Sequence, residues 1–399
     1  MKASSSSERR PASLSQILLD KLGRVTSSGR LLPEIDGLRF VAIAWVVLLH
    51  VLDFTTERMG LGASAQRGNL LTLVLGQGRL GVRLFFAISG LILGLPFAEH
   101  YLRSAPAVQL KRYFVRRLTR LEPPYILNMC FMALTIFLFS RHMSATHQIG
   151  LGQLVKHLCL SLIYLHSYIY RQPSVINSVA WSLEVEVQFY ILAPVLCLIF
   201  AVRNPLMRRG ALVVSIGALS MYAWASYPAN YLNLIGHLHY FLLGILLADL
   251  FVTDWKEMPV RNLWWDLIGI VAWCSLVPLE ARGWTFAEPL PVFLAYCAAF
   301  RGSLLNRFFS NRWLVVIGGM CYTIYLYHPI IVIGMGRLTA RFLTASSPLW
   351  LNATLQMALM VPVILVCSSV LFVLFEKPFM RRDWHVKILR RLHLMQSAG

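Results

Sequence analysis

The chain has 399 residues, of which 57% are hydrophobic and only 14% charged. A soluble domain carries about 25% charged residues, so this composition excludes a water-soluble globular enzyme and points to an all-α, polytopic membrane helix bundle. The net charge of +19 does not indicate a nucleic-acid partner, because Lys and Arg fall in the gaps between apolar runs, as positive-inside topology requires.

Met1 to Arg30 is rich in Ser and Arg and has no apolar core of a signal peptide, so residues 1–32 are expected to stay as a cytoplasmic tail. Ten apolar runs follow, at 36–54, 80–98, 122–140, 179–202, 211–227, 231–252, 263–280, 286–301, 313–335 and 352–375. Each is near the length a helix needs to cross a bilayer. A weaker candidate, 150–170, contains Lys156, His157 and His166.

Charge decides whether 150–170 crosses. With ten spans and the N-terminus inside, the inner segments hold 26 Lys and Arg and the outer ones hold 9. A crossing at 150–170 would invert every later loop and turn Arg203, Arg208 and Arg209 outward, against the rule. The segment is therefore expected to be re-entrant or interfacial, with both termini cytoplasmic in the cell (inner) membrane. The basic stretch Lys377–Arg391 contains Trp384, Ile388 and Leu389 and suits the anionic inner leaflet. No internal repeat is visible, which argues weakly against a transporter. Seven Cys lie in or beside apolar runs without paired spacing. They read as packing residues, and no metal is expected.

Charges inside apolar runs are costly and call for a function. Arg39 and His50 are eleven residues apart in the first run, about 16 Å along a helix. Trp181-Ser-Leu-Glu-Val-Glu-Val-Gln-Phe-Tyr190 is the most polar stretch of any run. There Ser182, Glu186 and Tyr190 share one helix face, while Glu184 and Gln188 share another. With Val179 taken as the outer end of the fourth run, Glu186 comes to about the depth of His50. A His beside a carboxylate can serve as a general base or accept an acyl group. His328, His237 and His239 also fall in outer halves, where a hydrogen-bonded interhelix role competes with a catalytic one. At the opposite face Arg117 and Arg120 share a helix side, at the depth of Arg39, and paired guanidiniums suit phosphate oxygens. A donor with a phosphate-rich head and a thin arm, such as acyl-CoA, fits this polarity.

At these residues the chain resembles the acyltransferase 3 family of integral-membrane O-acyltransferases. The resemblance is carried by Pro33-Glu-Ile-Asp-Gly-Leu-Arg-Phe-Val-Ala with His50, Gly81-Val-Arg-Leu-Phe-Phe-Ala-Ile-Ser-Gly-Leu-Ile92, Tyr113-Phe-Val-Arg-Arg-Leu-Thr-Arg120, Trp181 to Tyr190, Tyr325-Leu-Tyr-His-Pro329 and Phe375-Glu-Lys-Pro-Phe379. It implies a membrane acyltransferase domain at 33–382, followed by a basic cytoplasmic tail at 383–399. It further implies transfer of an acyl group, usually acetyl, from cytoplasmic acyl-CoA (acetyl-CoA) to a hydroxyl of a glycan or glycolipid acceptor. By the same resemblance Arg39, Arg117 and Arg120 bind the donor and His50 and Glu186 are catalytic. Trp181, Ser182, Glu184, Tyr190, Arg83 and His328 are expected to shape the acceptor site.

Two positions depart from the family pattern. Arg83 stands where an acid is usual, and Val187 replaces a second Glu, with Glu184 two residues before Glu186. Arg83 is expected to pair with Glu184 or to bind an anionic acceptor. Some members carry an extra extracellular domain; the end of the chain about 24 residues after its last apolar run suggests that any such partner is a separate protein. The competing function class is a transporter or flippase of a glycolipid or small anion, with the same Arg and His lining a path.

Overall fold

A computed structural model describes residues 13, 16, 19, 21–24, 32–139, 149–255 and 259–380. The expected basic tail at 383–399, all of Lys377–Arg391 beyond residue 380, and most of the N-terminal tail lie outside the described residues. Helices follow in the order α1 (Pro33–Arg58), α2 (Leu70–Gly76), α3 (Arg79–Arg103), α4 (Leu110–Phe139), α5 (Leu151–Leu162), α6 (His166–Tyr170), α7 (Trp181–Leu196) and α8 (Pro205–Ala225). They continue with α9 (Leu238–Thr253), α10 (Leu263–Ala281), α11 (Pro289–Arg301), α12 (Leu304–Phe309), α13 (Arg312–Gly319), α14 (Cys321–Thr339) and α15 (Leu349–Leu371). No strand occurs among the described residues.

Each apolar run carries a helix, and the chain is a multi-pass membrane protein. Six helical segments among the described residues are long and apolar enough to cross a bilayer, or seven if α13 and α14, bent by 69°, count as one span. The expected ten is therefore not established. α9 has 16 residues and α11 has 13, about 24 and 20 Å long, less than the ~30 Å hydrocarbon layer. α8 is longer but carries Arg208 and Arg209 in its first turns. In the segment 150–170, α5 and α6 have 12 and 5 residues, too short to cross. Leu151, Val155, Ile163, Tyr168 and Ile169 are exposed there, the apolar face an interfacial segment presents to lipid.

Helix starts follow local chemistry. Asn204 accepts hydrogen bonds from the Leu206 and Met207 amides, with Pro205 at the first helical position. Asn262 and Asn311 cap α10 and α13 in the same way, each satisfying amides that a helix start leaves unpaired. Asp266, inside α10, instead reaches across to accept from the amides of Ser303, Leu304 and Leu305 at the start of α12.

A close crossing joins α3 to α9. A Cβ on Gly90 would lie 2.1 Å from the Phe241 carbonyl oxygen, and one on Gly244 would lie 2.2 Å from that of Ala87. Backbones approach this closely only where small residues meet, the usual way apolar helices pack in lipid. Around this crossing Phe86, Phe189 and Phe241 stack, with ring centroids 4.8 and 4.0 Å apart. α8 is fastened to α9 by Arg208 and Arg209, which both pair with the buried Asp249, the second at 2.8 Å.

Candidate active site

α1, α3, α4, α7 and the start of α14 surround a cavity with about 870 Å³ of empty space, its open mouth included. Its polar wall is Arg39, Ser89, Arg117, Arg120, Ser182, Glu186 and Tyr190; its apolar wall includes Val82, Phe85, Phe86, Ile92 and Leu93. Arg39 comes from the second turn of α1. Arg117 and Arg120 come from the early turns of α4. Ser182, Glu186 and Tyr190 come from one face of α7, as their i, i+4 spacing requires.

Each polar group has a defined hold. Asp36, one turn before Arg39, takes its Nη1 at 2.5 Å and Arg24 Nη1 at 3.2 Å. Asp36 is 1% exposed, so it fixes the Arg39 guanidinium from behind. Arg117 lies 5.9 Å above the rings of both Tyr113 and Tyr190. Among the described residues, neither Arg117 nor Arg120 has a carboxylate within ion-pair distance. Glu186 accepts hydrogen bonds from Ser89 Oγ and Tyr190 OH, both at 2.5 Å. Three guanidiniums thus converge on a space holding one carboxylate, an arrangement suited to an anionic ligand.

His50 does not line this cavity. Its Nδ1 lies 2.8 Å from the Val46 carbonyl oxygen, and its ring meets that of His328 edge to face, centroids 4.9 Å apart. His328 is fully buried, with Nδ1 3.0 Å from the Ile324 carbonyl oxygen. A carbonyl oxygen can only accept, so each Nδ1 carries a proton, and in the uncharged tautomer the lone pair is on Nε2. Tyr325 separates the two zones. It lines the cavity, bonds Ser182 Oγ at 2.7 Å, and places its ring 5.9 Å from that of His328.

The expected juxtaposition of His50 with Glu186 is not seen: no hydrogen bond joins them, and Glu186 belongs with Arg39. The reason lies in the start of the fourth run. Val179 is not at the outer surface but buried, packed in one cluster with Val46, Val47 and Val51. Its carbonyl oxygen accepts from Tyr325 OH at 3.1 Å, beside the His50–His328 pair, and Glu186, seven residues on, lies about 10 Å further along the helical run.

The remaining sequence candidates fall elsewhere. Glu184 is fully buried behind α7 and accepts the Ser167 amide of α6 at 2.8 Å. Trp181 packs on Tyr231, His237 and Phe86. Arg83 does not pair with Glu184. Its Nη1 bonds Glu280 at the end of α10 and Glu288 just before α11, the latter at 2.8 and 2.6 Å, and Tyr240 OH donates to Glu288 at 2.6 Å. Those two acids are 197 and 205 residues away in sequence, so no spacing signals the pairing.

Asp36, Ser89, Tyr325, Glu280 and Glu288 are the site residues that sequence reasoning passed over. Only Asp36 left a usable trace, an Asp-x-x-Arg spacing in the first turns of a helix. No group of three or more His, Cys, Asp or Glu suited to a metal ion occurs among the described residues.

Comparison with known proteins gives the family. The O-acetyltransferase OatA of Staphylococcus aureus, in strains NCTC 8325 / PS 47, COL and N315, is 27% identical over 341 residues, covering 76% of this chain. The chain spans about half, 51%, of the length of these curated relatives. No solved structure matches. The profile of the acyltransferase domain covers residues 32–373, from the Pro-x-x-Asp-Gly-x-Arg start of α1 to just past α15, and on that extent the chain belongs to the acyltransferase 3 family.

Proposed function

We propose that this chain is a cell-membrane O-acyltransferase that moves an acyl group, acetyl in the first instance, from cytoplasmic acyl-CoA to a hydroxyl of a glycan or related surface or secreted compound. The observation that carries this reading is the cavity itself. Arg39, Arg117 and Arg120 face a space with too few carboxylates to neutralise them, and the space is closed by Tyr325, behind which His50 and His328 lie. Coenzyme A has a matching shape, an anionic head and a narrow arm ending in the thioester. The names of the relatives, O-acetyltransferases, support acetyl as the group moved.

In this reading the three guanidiniums hold CoA phosphates, and the excess of Lys and Arg in the segments on their side supports a cytoplasmic orientation for them and for both termini. Glu186, with Ser89 and Tyr190, belongs to the donor cavity, where it orients Tyr190 against Arg117. His50 Nε2 takes the proton of the acceptor hydroxyl as that oxygen attacks the thioester carbonyl carbon. The carbon–sulfur bond then breaks, and the proton passes to the departing thiolate. His328 holds the His50 ring in place from its buried side.

Purified full chain in liposomes, given acetyl-labelled acetyl-CoA outside or inside, tests the proposal. Label transferred to a glycan hydroxyl, recovered as base-labile acetate, supports it. Movement of a glycolipid or anion across the bilayer without acyl-CoA would establish the transporter class instead.

A further inference from the structure

A second chamber opens beside the N-terminal turns of α3, on the side turned toward α8, α9 and α10. Two adjoining spaces, with about 370 and 1050 Å³ of empty volume and open solvent included, share Arg83, Tyr227, Tyr231 and Thr285 as walls. Ser89 of the donor cavity lies six residues beyond Arg83, about 9 Å further along α3. The partition between the two is aromatic: Phe86 lines the donor cavity, and its ring lies 5.0 Å from that of His237, which lines the chamber.

We infer that this chamber is a saccharide-binding site, which on the acyltransferase reading holds a hydroxyl-rich sugar unit of the acceptor. Three observations point to a sugar. The rim carries Trp224 and Tyr227, 42% and 58% exposed, whose broad ring faces match the C–H face of a pyranose, with the Trp224 indole fixed by its bond to the Gly283 carbonyl. The chamber is polar but its charges balance: Arg79 and Arg83 stand on the wall with Glu280, and the buried Glu288 meets Arg83 from behind. With no surplus of either sign, these walls give an anion no net attraction, and a lipid chain would leave the charged groups without a solvating partner. Finally, two buried ring nitrogens lack a partner. His237 Nε2 donates to the Tyr231 carbonyl at 2.7 Å, which leaves its Nδ1 lone pair free. Neither that Nδ1 nor His239 Nδ1 has a hydrogen-bond partner among the described residues, although both side chains are 3% exposed. A buried polar group without a partner is costly, and a sugar hydroxyl, which both donates and accepts, supplies one.

The probe is the oligosaccharide pool released by mild hydrolysis from the envelope of cells that make the protein. It is offered to the full chain in nanodiscs, and bound sugar is read by mass spectrometry. Wild type retains saccharide; Tyr227→Ala, at the exposed rim, and His239→Phe, at the floor, each lose tenfold or more while binding acyl-CoA as wild type does. Arg117→Ala shows the converse, losing acyl-CoA and keeping saccharide. Absence of saccharide on wild type, or equal retention by Tyr227→Ala and any folded His239→Phe, overturns the inference. Saccharide held in the chamber with no acyl transfer from acyl-CoA leaves the chamber standing and removes the acyltransferase reading alone.

Discussion

Replacing Arg117 by Ala separates donor binding from folding. In the free protein the guanidinium has no carboxylate partner among the described residues; it rests 5.9 Å from the centres of the Tyr113 and Tyr190 rings. That distance is near the limit of a useful cation–π contact, so losing both removes about 1 kcal/mol or less from each. With acyl-CoA bound, the same group would donate to a phosphate, and a charge-assisted hydrogen bond contributes roughly 1.5–3 kcal/mol. At about 1.4 kcal/mol per decade, Arg117→Ala should weaken acyl-CoA binding roughly 10- to 150-fold and raise KM by a similar factor with little change in kcat. Arg117→Lys should recover part of this, because charge returns without the planar fork. Isothermal titration of the nanodisc-embedded chain reads the affinity, and thermal unfolding reads the stability. Unchanged acyl-CoA affinity in a folded Arg117→Ala protein would refute the assignment of this cavity to the donor.

Three further outcomes follow from the same geometry. Arg83→Ala leaves Glu288, fully buried, without its cation, and should destabilise the fold by about 3–5 kcal/mol, seen as a large drop in thermal midpoint; a midpoint within a degree of wild type would contradict the buried pairing. Glu186→Gln keeps the side chain's size but alters its bonds to Ser89 and Tyr190, and should slow transfer by roughly tenfold or more, as lost positioning does, without displacing the pH profile. A displaced profile would instead tie Glu186 directly to His50. Gly318→Ala places a Cβ 1.8 Å from the Asp36 carbonyl oxygen, so α1 and α13 must separate. The overpacking should cost about 1–3 kcal/mol and weaken acyl-CoA binding through the shifted Asp36–Arg39 pair, and normal stability with normal affinity would argue against so tight a crossing.

Much of this architecture was legible in the chain. The apolar runs each became helices because hydrophobic length and cap residues such as Asn204 and Asn262 are local signals. Arg117 and Arg120 were readable as a pair because i, i+3 spacing fixes a shared helix face. The His50–Glu186 pairing failed for a different reason. Hydrophobicity gives the extent of an apolar run but not its offset along the bundle axis, and Val179 starts its helix inside the protein rather than at the surface. Arg83 failed similarly. Its partners Glu280 and Glu288 sit at run ends, where charges read as loop residues, and only the tertiary packing of α3 with α10 and α11 brings them to it. The same limit applies to span count, since α9 and α11 are apolar enough to bury yet too short to cross unaided.

The central claim is that His50 performs the chemistry while the three arginines only hold the donor. Its most direct test compares wild type with His50→Ala, both as full chains in liposomes with labelled acetyl-CoA and glycan acceptor. The expected result is a loss of transfer by roughly 10²–10⁴-fold, the usual contribution of a general base, with acyl-CoA affinity and thermal midpoint unchanged. Undiminished acetate on the acceptor in the folded variant would contradict it.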